Sequence, residues 1–327
     1  MRLPIIDISP FLNAGKSQDK AEVALQLDNA CRIFGAFYLT GHGIDTSKTI
    51  SEMKSFFSLD ATAKRKISVR PGGFLRGYIG MGEESGSDAL EVKEAFSYGY
   101  SWPADTLPKN SMQGHNVWPT HENIPVEWQH SMEDFFSRMT AVAQSLVRAF
   151  SLGYGYQEEY LHSFCRNGDT ISVMRLFHYF PYKMADQQFP AYHDRIGSSA
   201  HTDWGFLTLI LQQNGVTGLQ FFHDGDWMDI PPVPDTLLVN CGDYFSLLTH
   251  GEYISPLHRV ISEGVERTSG VFFFYPDYDA RIPVLGKQQY SLLTNQKKSA
   301  DSKIDPGETP FGEFIRKKWE QVQRKNT

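Results

Sequence analysis

After Asp169 the apolar residues stop recurring at every third and fourth position and begin to alternate with polar ones, and this change of period constrains the fold more than any other feature of the chain. Upstream, Met132, Phe135, Phe136, Met139, Val142, Ala143, Leu146 and Ala149 keep the spacing of one helix face, and Gly153 and Gly155 end it. Downstream, residues 172–180, 206–211, 219–222, 227–230, 236–240 and 269–275 read as short strands. Asp224-Gly225 between two of them is a hairpin signal. Many short strands at near-even spacing argue for a sandwich or barrel and against a parallel βαβ sheet.

The first half is more helical. Pro4-Ile-Ile-Asp-Ile-Ser reads as a short strand. Val23, Leu27, Ala30, Cys31 and Phe34 then mark a helix with Ser17 and Asp19 as available caps, ended by Gly35. Residues 36–40 read as a strand stopped by Gly41-His-Gly, and residues 49–57 as a short helix resting on Ile50, Met53, Phe56 and Phe57. Residues 70–118 are rich in glycine, serine and charge, which predicts irregular loops over the core. A last helix is expected over 310–324, with Thr309 as cap and proline at its first position. The expected fold class is α+β with a mainly β core. A helix-rich region (1–165), a strand-rich core (166–285) and a C-terminal loop and helix (286–327) form one structural unit.

Charge and cysteine usage narrow the function classes. The net charge is −7 and no long basic run occurs, which argues against nucleic acid and anionic membrane surfaces as partners. Arg316, Lys317, Lys318, Arg324 and Lys325 alternate with glutamates and read as a solvated helix face. There is no signal-like apolar run and no stretch of membrane-spanning length. Three cysteines (Cys31, Cys165, Cys241), odd in number and far apart, suggest no disulfide framework, so a reducing, cytoplasmic setting is expected. No self-complementary patch fixes an oligomeric state.

The strand-rich half carries the chemistry. His201 and Asp203 are two residues apart, so on a strand their side chains share a face. On spacing alone this is either a polar strand end or two thirds of a metal site. Of the downstream histidines, His223 precedes the hairpin turn, His250 lies in a loop, and His258 stands where apolar alternation resumes. Two histidines and a carboxylate on one face suit non-haem Fe(II), with adjacent coordination positions left open. Arg267 and Ser269 repeat the two-residue spacing. A guanidinium fork beside a hydroxyl is a natural receptor for one carboxylate, the alternative being a surface arginine next to a strand-capping serine.

These residues, in this order, resemble the 2-oxoglutarate and Fe(II)-dependent dioxygenases of the isopenicillin N synthase-like superfamily. The resemblance spans nearly the whole chain. It includes Pro4-Ile-Ile-Asp-Ile-Ser, Phe34-Gly-Ala-Phe-Tyr-Leu-Thr-Gly-His-Gly, Arg76-Gly-Tyr, Lys93-Glu-Ala-Phe and Asn116-Val-Trp-Pro. It continues through His201-Thr-Asp, Leu219-Gln, Val239-Asn-Cys-Gly-Asp, His258-Arg-Val and Arg267-Thr-Ser. The resemblance implies a double-stranded β-helix (jelly-roll) core with His201, Asp203 and His258 as iron ligands. It further implies that Arg267 and Ser269 grip the distal carboxylate of 2-oxoglutarate. The reaction implied is oxidation of an unactivated C–H bond of a small molecule by O₂, with release of succinate and CO₂. Hydroxylation is the default outcome, and desaturation or oxidative cyclisation are close variants; a role in secondary metabolism suits such chemistry.

Many relatives have Asn-Tyr-Tyr-Pro where this chain has His178-Tyr-Phe-Pro, which puts Phe180 in place of a cosubstrate-binding tyrosine and leaves Tyr179 to compensate. On the substrate side the resemblance points to residues 70–100 and the C-terminal helix, with Arg76, Tyr78, Lys93 and Trp204 as candidates for a polar or carboxylate-bearing molecule. Arg76 and Lys93 equally suit ion pairs with Glu83 or Glu94. Three rival functions remain: a cosubstrate-independent Fe(II) oxidase, a zinc hydrolase using the same triad, and a non-catalytic binding protein.

Overall fold

Along Val173–Tyr179 successive side chains enter two different compartments: Met174 and Leu176 join one apolar cluster, Phe177 and Tyr179 another. The same division recurs in this computed structural model at Leu209 and Leu211 against Ile210, and at Phe272 and Phe274 against Val271. It is the two-residue period of strands buried on both faces. The residues described are 2–13, 15–70, 75–84, 86–186, 188–189, 194–261, 264–286 and 305–323. Arg324 and Lys325, assigned above to a solvated helix face, lie outside them.

Two sheets enclose the second compartment. The major sheet runs, in spatial order, Ile5–Asp7, Ala36–Thr40, Leu237–Cys241, Leu207–Gln212, Arg267–Phe274, Val173–Tyr179, Lys93–Gly99 and Gly77–Ile79. The minor sheet runs Asp226–Asp229, Leu219–His223, His258–Val260 and Ser198–His201. Leu90–Glu91 pairs separately with Arg195–Ile196. Apart from that short pair and the hairpin of Leu219–His223 with Asp226–Asp229, which lies wholly in the minor sheet, the strands from Val173 onward alternate between the two sheets, and all of them pair antiparallel with their neighbours. Such winding makes a double-stranded β-helix, or jelly roll.

The first compartment lies between the major sheet and the helices Ser17–Ile33, Thr46–Phe57 and Val126–Gly153. Phe56, Met132, Met139, Leu146 and Phe150 are fully enclosed there, each contributing about 1.5–3 kcal/mol through burial. Gly35, at φ +67°, ends the first of these helices, and a Cβ at that position would lie 2.1 Å from the Ile254 carbonyl oxygen. The Asp224-Gly225 turn has positive φ at both residues (51° and 92°), as a two-residue hairpin requires.

Several expectations need correction. Residues 70–118 are not all loop: Lys93–Gly99 is a seven-residue strand of the major sheet, paired on both sides, with Gly77–Ile79 as the edge strand beside it. Its polar residues hid it, because Lys93 and Ser97 face the inter-sheet compartment while Phe96 and Tyr98 face the helices. The helix expected at 49 begins at Thr46, capped by Asp45, whose side chain accepts the Lys48 N–H at 2.9 Å. Neither Ser17 nor Asp19 caps the first long helix, because Ser17 is already helical and Lys16 holds the cap position without a side-chain bond. The last helix is Phe311–Gln323, with the Pro310 carbonyl accepting the Phe314 N–H, so the proline and not Thr309 stands at its start. No helix among the described residues is long and apolar enough to cross a membrane.

Candidate active site

His201 closes the strand Ser198–His201, His258 opens His258–Val260, and the two are direct partners in the antiparallel pairing. Their rings lie 4.3 Å apart between centroids. Asp203 follows just beyond the strand rather than on it. His201 Nδ1 is 2.7 Å from the Ser199 carbonyl oxygen, and His258 Nδ1 is 3.0 Å from that of Pro256. A carbonyl only accepts, so each Nδ1 carries the proton and each Nε2 keeps a lone pair. Those two Nε2 atoms stand 3.9 and 3.7 Å from Asp203 Oδ1. One ligand atom from each of the three residues falls within 4.8 Å of the others.

The segment Leu237–Cys241 and its following turn hold the aspartate in place. Asn240 Nδ2 donates to Asp203 Oδ2 at 2.9 Å, which leaves Oδ1 facing the histidines. The Asp243 N–H donates to the Asp203 carbonyl at 2.7 Å. Gly242 allows this approach, since a Cβ there would lie 2.2 Å from the Gly205 carbonyl oxygen. Burial alone would raise the Asp203 carboxyl, but His258, His201 and the Asn240 amide outweigh it and hold it below its ordinary value. Burial within the site, with His258 adjacent, pushes His201 down to about 4. Its side chain is 44% exposed and lines two cavities beside the triad. Two imidazole Nε2 atoms and one carboxylate oxygen form a donor set for a borderline divalent cation.

A cavity of about 90 Å³ adjoins the triad, lined also by Phe177, Tyr179, Arg267 and Ser269. Arg267 is 2% exposed. Its Nη1 donates to Ser269 Oγ at 3.4 Å and its Nη2 to Gln212 Oε1 at 3.0 Å, while its Nε has no partner among the described residues. The guanidinium lies 5.1 Å from the centroid of the Tyr179 ring. No carboxylate among the described residues pairs with it, and burial pushes it below its ordinary value. A buried unpaired ion carries a desolvation penalty of several kcal/mol. An anion that entered this cavity, whose walls include both Arg267 and the triad, would relieve it.

Tyr179 and Phe180 face opposite ways. Phe180 packs with Leu90, Val92 and Ala185, outside the cavity, 4.4 Å from the His178 ring. The expectation that Phe180 takes the place of a cosubstrate-facing tyrosine is therefore shifted by one residue: strand alternation gives that side of the cavity to Tyr179.

A second cavity, about 280 Å³, shares Lys93, Arg175, Ser198, His201, Asp203 and Phe273 with the first. Leu75, Glu84, Glu91, Trp204, Tyr275 and Trp319 complete its polar and aromatic walls. Trp204 packs edge-on against Trp319 of the C-terminal helix at 5.1 Å. Lys93 and Trp204 therefore lie at the site. Arg76 and Tyr78 line neither cavity: Arg76 donates to the carbonyls of Leu75 and Met112, and the Tyr78 hydroxyl donates to Glu94 at 2.6 Å. Lys93 pairs with Glu91 (2.5 Å) rather than with Glu83 or Glu94, because Glu94 points to the other face and serves Lys64 and His178.

Arg175, Glu84, Glu91, Gln212 and Trp319 escaped the sequence reading. Arg175 had a signal, since it lies two and four residues before Phe177 and Tyr179 on one strand face. Gln212 had none, because only the pairing of Leu207–Gln212 with Arg267–Phe274 brings it opposite Ser269.

Comparison with known proteins agrees with this geometry. A family model described as the N-terminal region of the non-haem dioxygenase in morphine synthesis matches residues 3–121, and the 2OG-Fe(II) oxygenase superfamily model matches residues 170–276. The 2-oxoglutarate-dependent dioxygenase caaD of Aspergillus niger is 30% identical over 293 residues, covering 87% of each chain. Homoarginine-6-hydroxylase 2-ODD-C23.1 of Arabidopsis thaliana is 35% identical over 306 residues, covering 88% of this chain and 89% of its own. A full-length Neurospora crassa protein, solved as a crystal structure in complex with alpha-KG, shares the fold, with a TM-score of 0.77 at 24% identity over 99% of this chain and 96% of that one. Relatives of this identity over most of both chains settle the family: the chain belongs to the 2OG-Fe(II) oxygenase superfamily.

Proposed function

We propose that His201, Asp203 and His258 hold the Fe(II), that Arg267, Ser269 and Tyr179 receive the distal carboxylate of 2-oxoglutarate, and that the larger cavity takes the molecule to be oxidised. The protein is a 2-oxoglutarate-dependent dioxygenase acting on a small molecule, with Fe(II), 2-oxoglutarate and O₂ as its requirements. The observation that carries the assignment of residues is Arg267, a buried cation without a carboxylate partner among the described residues, in the same cavity as the triad. A zinc hydrolase would leave that cation uncompensated, and succinate release separates the reading from a cosubstrate-independent oxidase, which can carry the same arginine and serine.

Bound together, Fe(II), 2-oxoglutarate and O₂ supply an oxidation that releases succinate and CO₂ and removes hydrogen from an unactivated C–H bond. The protein's own part is binding and enclosure. The Nδ1 bonds of the two histidines to backbone carbonyls orient both Nε2 lone pairs, and Asn240 fixes which carboxylate oxygen of Asp203 points inward. Phe177, Ile210, Leu219 and Val271 wall off water around Arg267, which strengthens its grip on an anion. Ser269 adds a hydroxyl beside the guanidinium.

The substrate is proposed to carry a carboxylate, with Lys93 and Trp204 on its side of the iron and Arg76 and Tyr78 supporting the wall behind. Relatives named for homoarginine hydroxylation are in keeping with a small polar substrate of this kind. Hydroxylation is the default outcome. A cytoplasmic setting suits the three buried free cysteines. Slow conversion of 2-oxoglutarate to succinate, measured with Fe(II) and O₂ and again with Zn(II), tests the reading. Succinate with iron alone is expected, and oxygen-independent turnover with zinc would overturn it.

A further inference from the structure

Two ion pairs line the larger cavity, and they are built differently. Glu91 sits on a short strand with its side chain 4% exposed. It accepts the backbone N–H of Ser199 at 2.8 Å and that of Gly86 at 3.3 Å, besides pairing with Lys93. Moving it would strand all three donors. Glu84 lies in the turn-rich stretch between Gly77–Ile79 and Leu90–Glu91, with its side chain 30% exposed. Among the described residues, the hydrogen bond it accepts comes from Arg175 Nη2, at 2.7 Å.

Arg175 is as fixed as its partner is loose. It stands on the central strand Val173–Tyr179 with its side chain 10% exposed. Its Nε donates to Ser97 Oγ at 3.2 Å, and its guanidinium lies 4.8 Å from the Phe177 ring centroid. It lines both cavities, as do His201 and Asp203. The cation belongs to the sheet, and the anion that covers it hangs from a loop.

We propose that Arg175 is the receptor for a carboxylate of the oxidised substrate, and that Glu84 occupies it only until the substrate arrives. The proposal rests on the reading of the larger cavity as the substrate chamber. Exchanging one carboxylate for another keeps the enclosed guanidinium paired throughout, so the step avoids the penalty of a bare buried cation. Glu84, already part-exposed, returns to water. The net driving force then comes from covering the apolar body of the ligand with Leu75, Phe273, Trp204 and Trp319. An uncharged ligand would enter without displacing Glu84 and so gain no ion pair, and a cationic one would face Arg175 and Lys93 together. Burial would raise the Glu84 carboxyl, yet Arg175 and Lys93 bring it down to about 2, so the position favours negative charge.

Three probes with one body separate these cases: 3-phenylpropionate, 3-phenylpropanamide and 3-phenylpropylamine. Binding is read from tryptophan fluorescence of the full chain loaded anaerobically with Fe(II) and saturating 2-oxoglutarate. The acid is expected to bind ~10- to 100-fold more tightly than the amide, the range a charge-assisted hydrogen bond supplies. Arg175→Gln should erase that preference. Glu84→Gln should tighten acid binding several-fold and leave the amide unchanged, a gain that a variant failing to fold could not produce. An acid that binds no better than the amide, weaker acid binding in Glu84→Gln, or the amine as the tightest ligand would each overturn the proposal. The visible charge-transfer band of the same samples reports separately on iron and 2-oxoglutarate. Its presence with no acid preference sinks this inference alone, and its absence strikes the proposed function instead.

Discussion

The two cavities that meet at the triad are made from different parts of the chain. The smaller draws almost all its lining from strands: Phe177 and Tyr179 from one, Arg267 and Ser269 from the next, Leu219, His258 and Val260 from the facing sheet. The larger adds Leu75, Glu84, Gly86, Trp204 and Trp319, which come from loops and from the C-terminal helix. Strand pairing fixes where a side chain points, so the smaller cavity cannot change without breaking the register of the sheet. Loops tolerate change without that cost. With the cavities assigned as proposed, such a chain would hold the common reactant rigidly and leave the particular substrate to the parts that vary most easily.

The sharpest way to break the comparison is to remove a residue that both cavities share. Asp203→Ala, or His258→Ala beside it, should abolish turnover while leaving far-ultraviolet circular dichroism near the native signal, and retained turnover in either would remove the triad from its role. Next in size is a change on the opposite face of the same strand that carries Phe177 and Tyr179. Leu176 is fully enclosed on the helix side, so Leu176→Ala should cost about 2–5 kcal/mol of stability in denaturant unfolding. It should leave the 2-oxoglutarate requirement alone, and a raised requirement would show that the two faces are not independent. A smaller effect is expected from Asn240→Ala, which frees Asp203 to rotate. Fe(II) affinity, measured by anaerobic equilibrium dialysis, should fall ~10- to 100-fold, as for other residues that orient a metal ligand. An unchanged affinity would mean that the strand end alone fixes the carboxylate.

Sequence period made the smaller cavity legible. The i, i+2 spacing of Arg267 with Ser269 places both side chains on one strand face. His201 and Asp203 converge as that spacing suggested, although the strand stops at His201 and a turn braced by Asn240 and Asp243 does the rest. What failed was local as well. The motif comparison drew attention to Phe180, which packs outside the cavity, while Tyr179, named as the residue to compensate for it, lines the cavity. Lys93–Gly99 was missed because a strand with charged residues on one face and aromatic ones on the other looks like neither an exposed strand nor a core strand. The larger cavity was the least legible. Glu84 meets Arg175 across 91 positions of sequence, and Trp204 meets Trp319 only because the C-terminal helix packs back beside the site. No period records such contacts.

The most direct test of the account is an anaerobic titration of the Fe(II)-loaded protein with 2-oxoglutarate, followed in the visible range, for the wild type and for Arg267→Ala. The wild type should develop a weak metal-to-ligand charge-transfer band that saturates, and the variant should need ~10- to 100-fold more 2-oxoglutarate to reach it, the loss expected for a charge-assisted hydrogen bond. Iron demonstrably bound with no band, or the same titration curve in both proteins, would contradict the account.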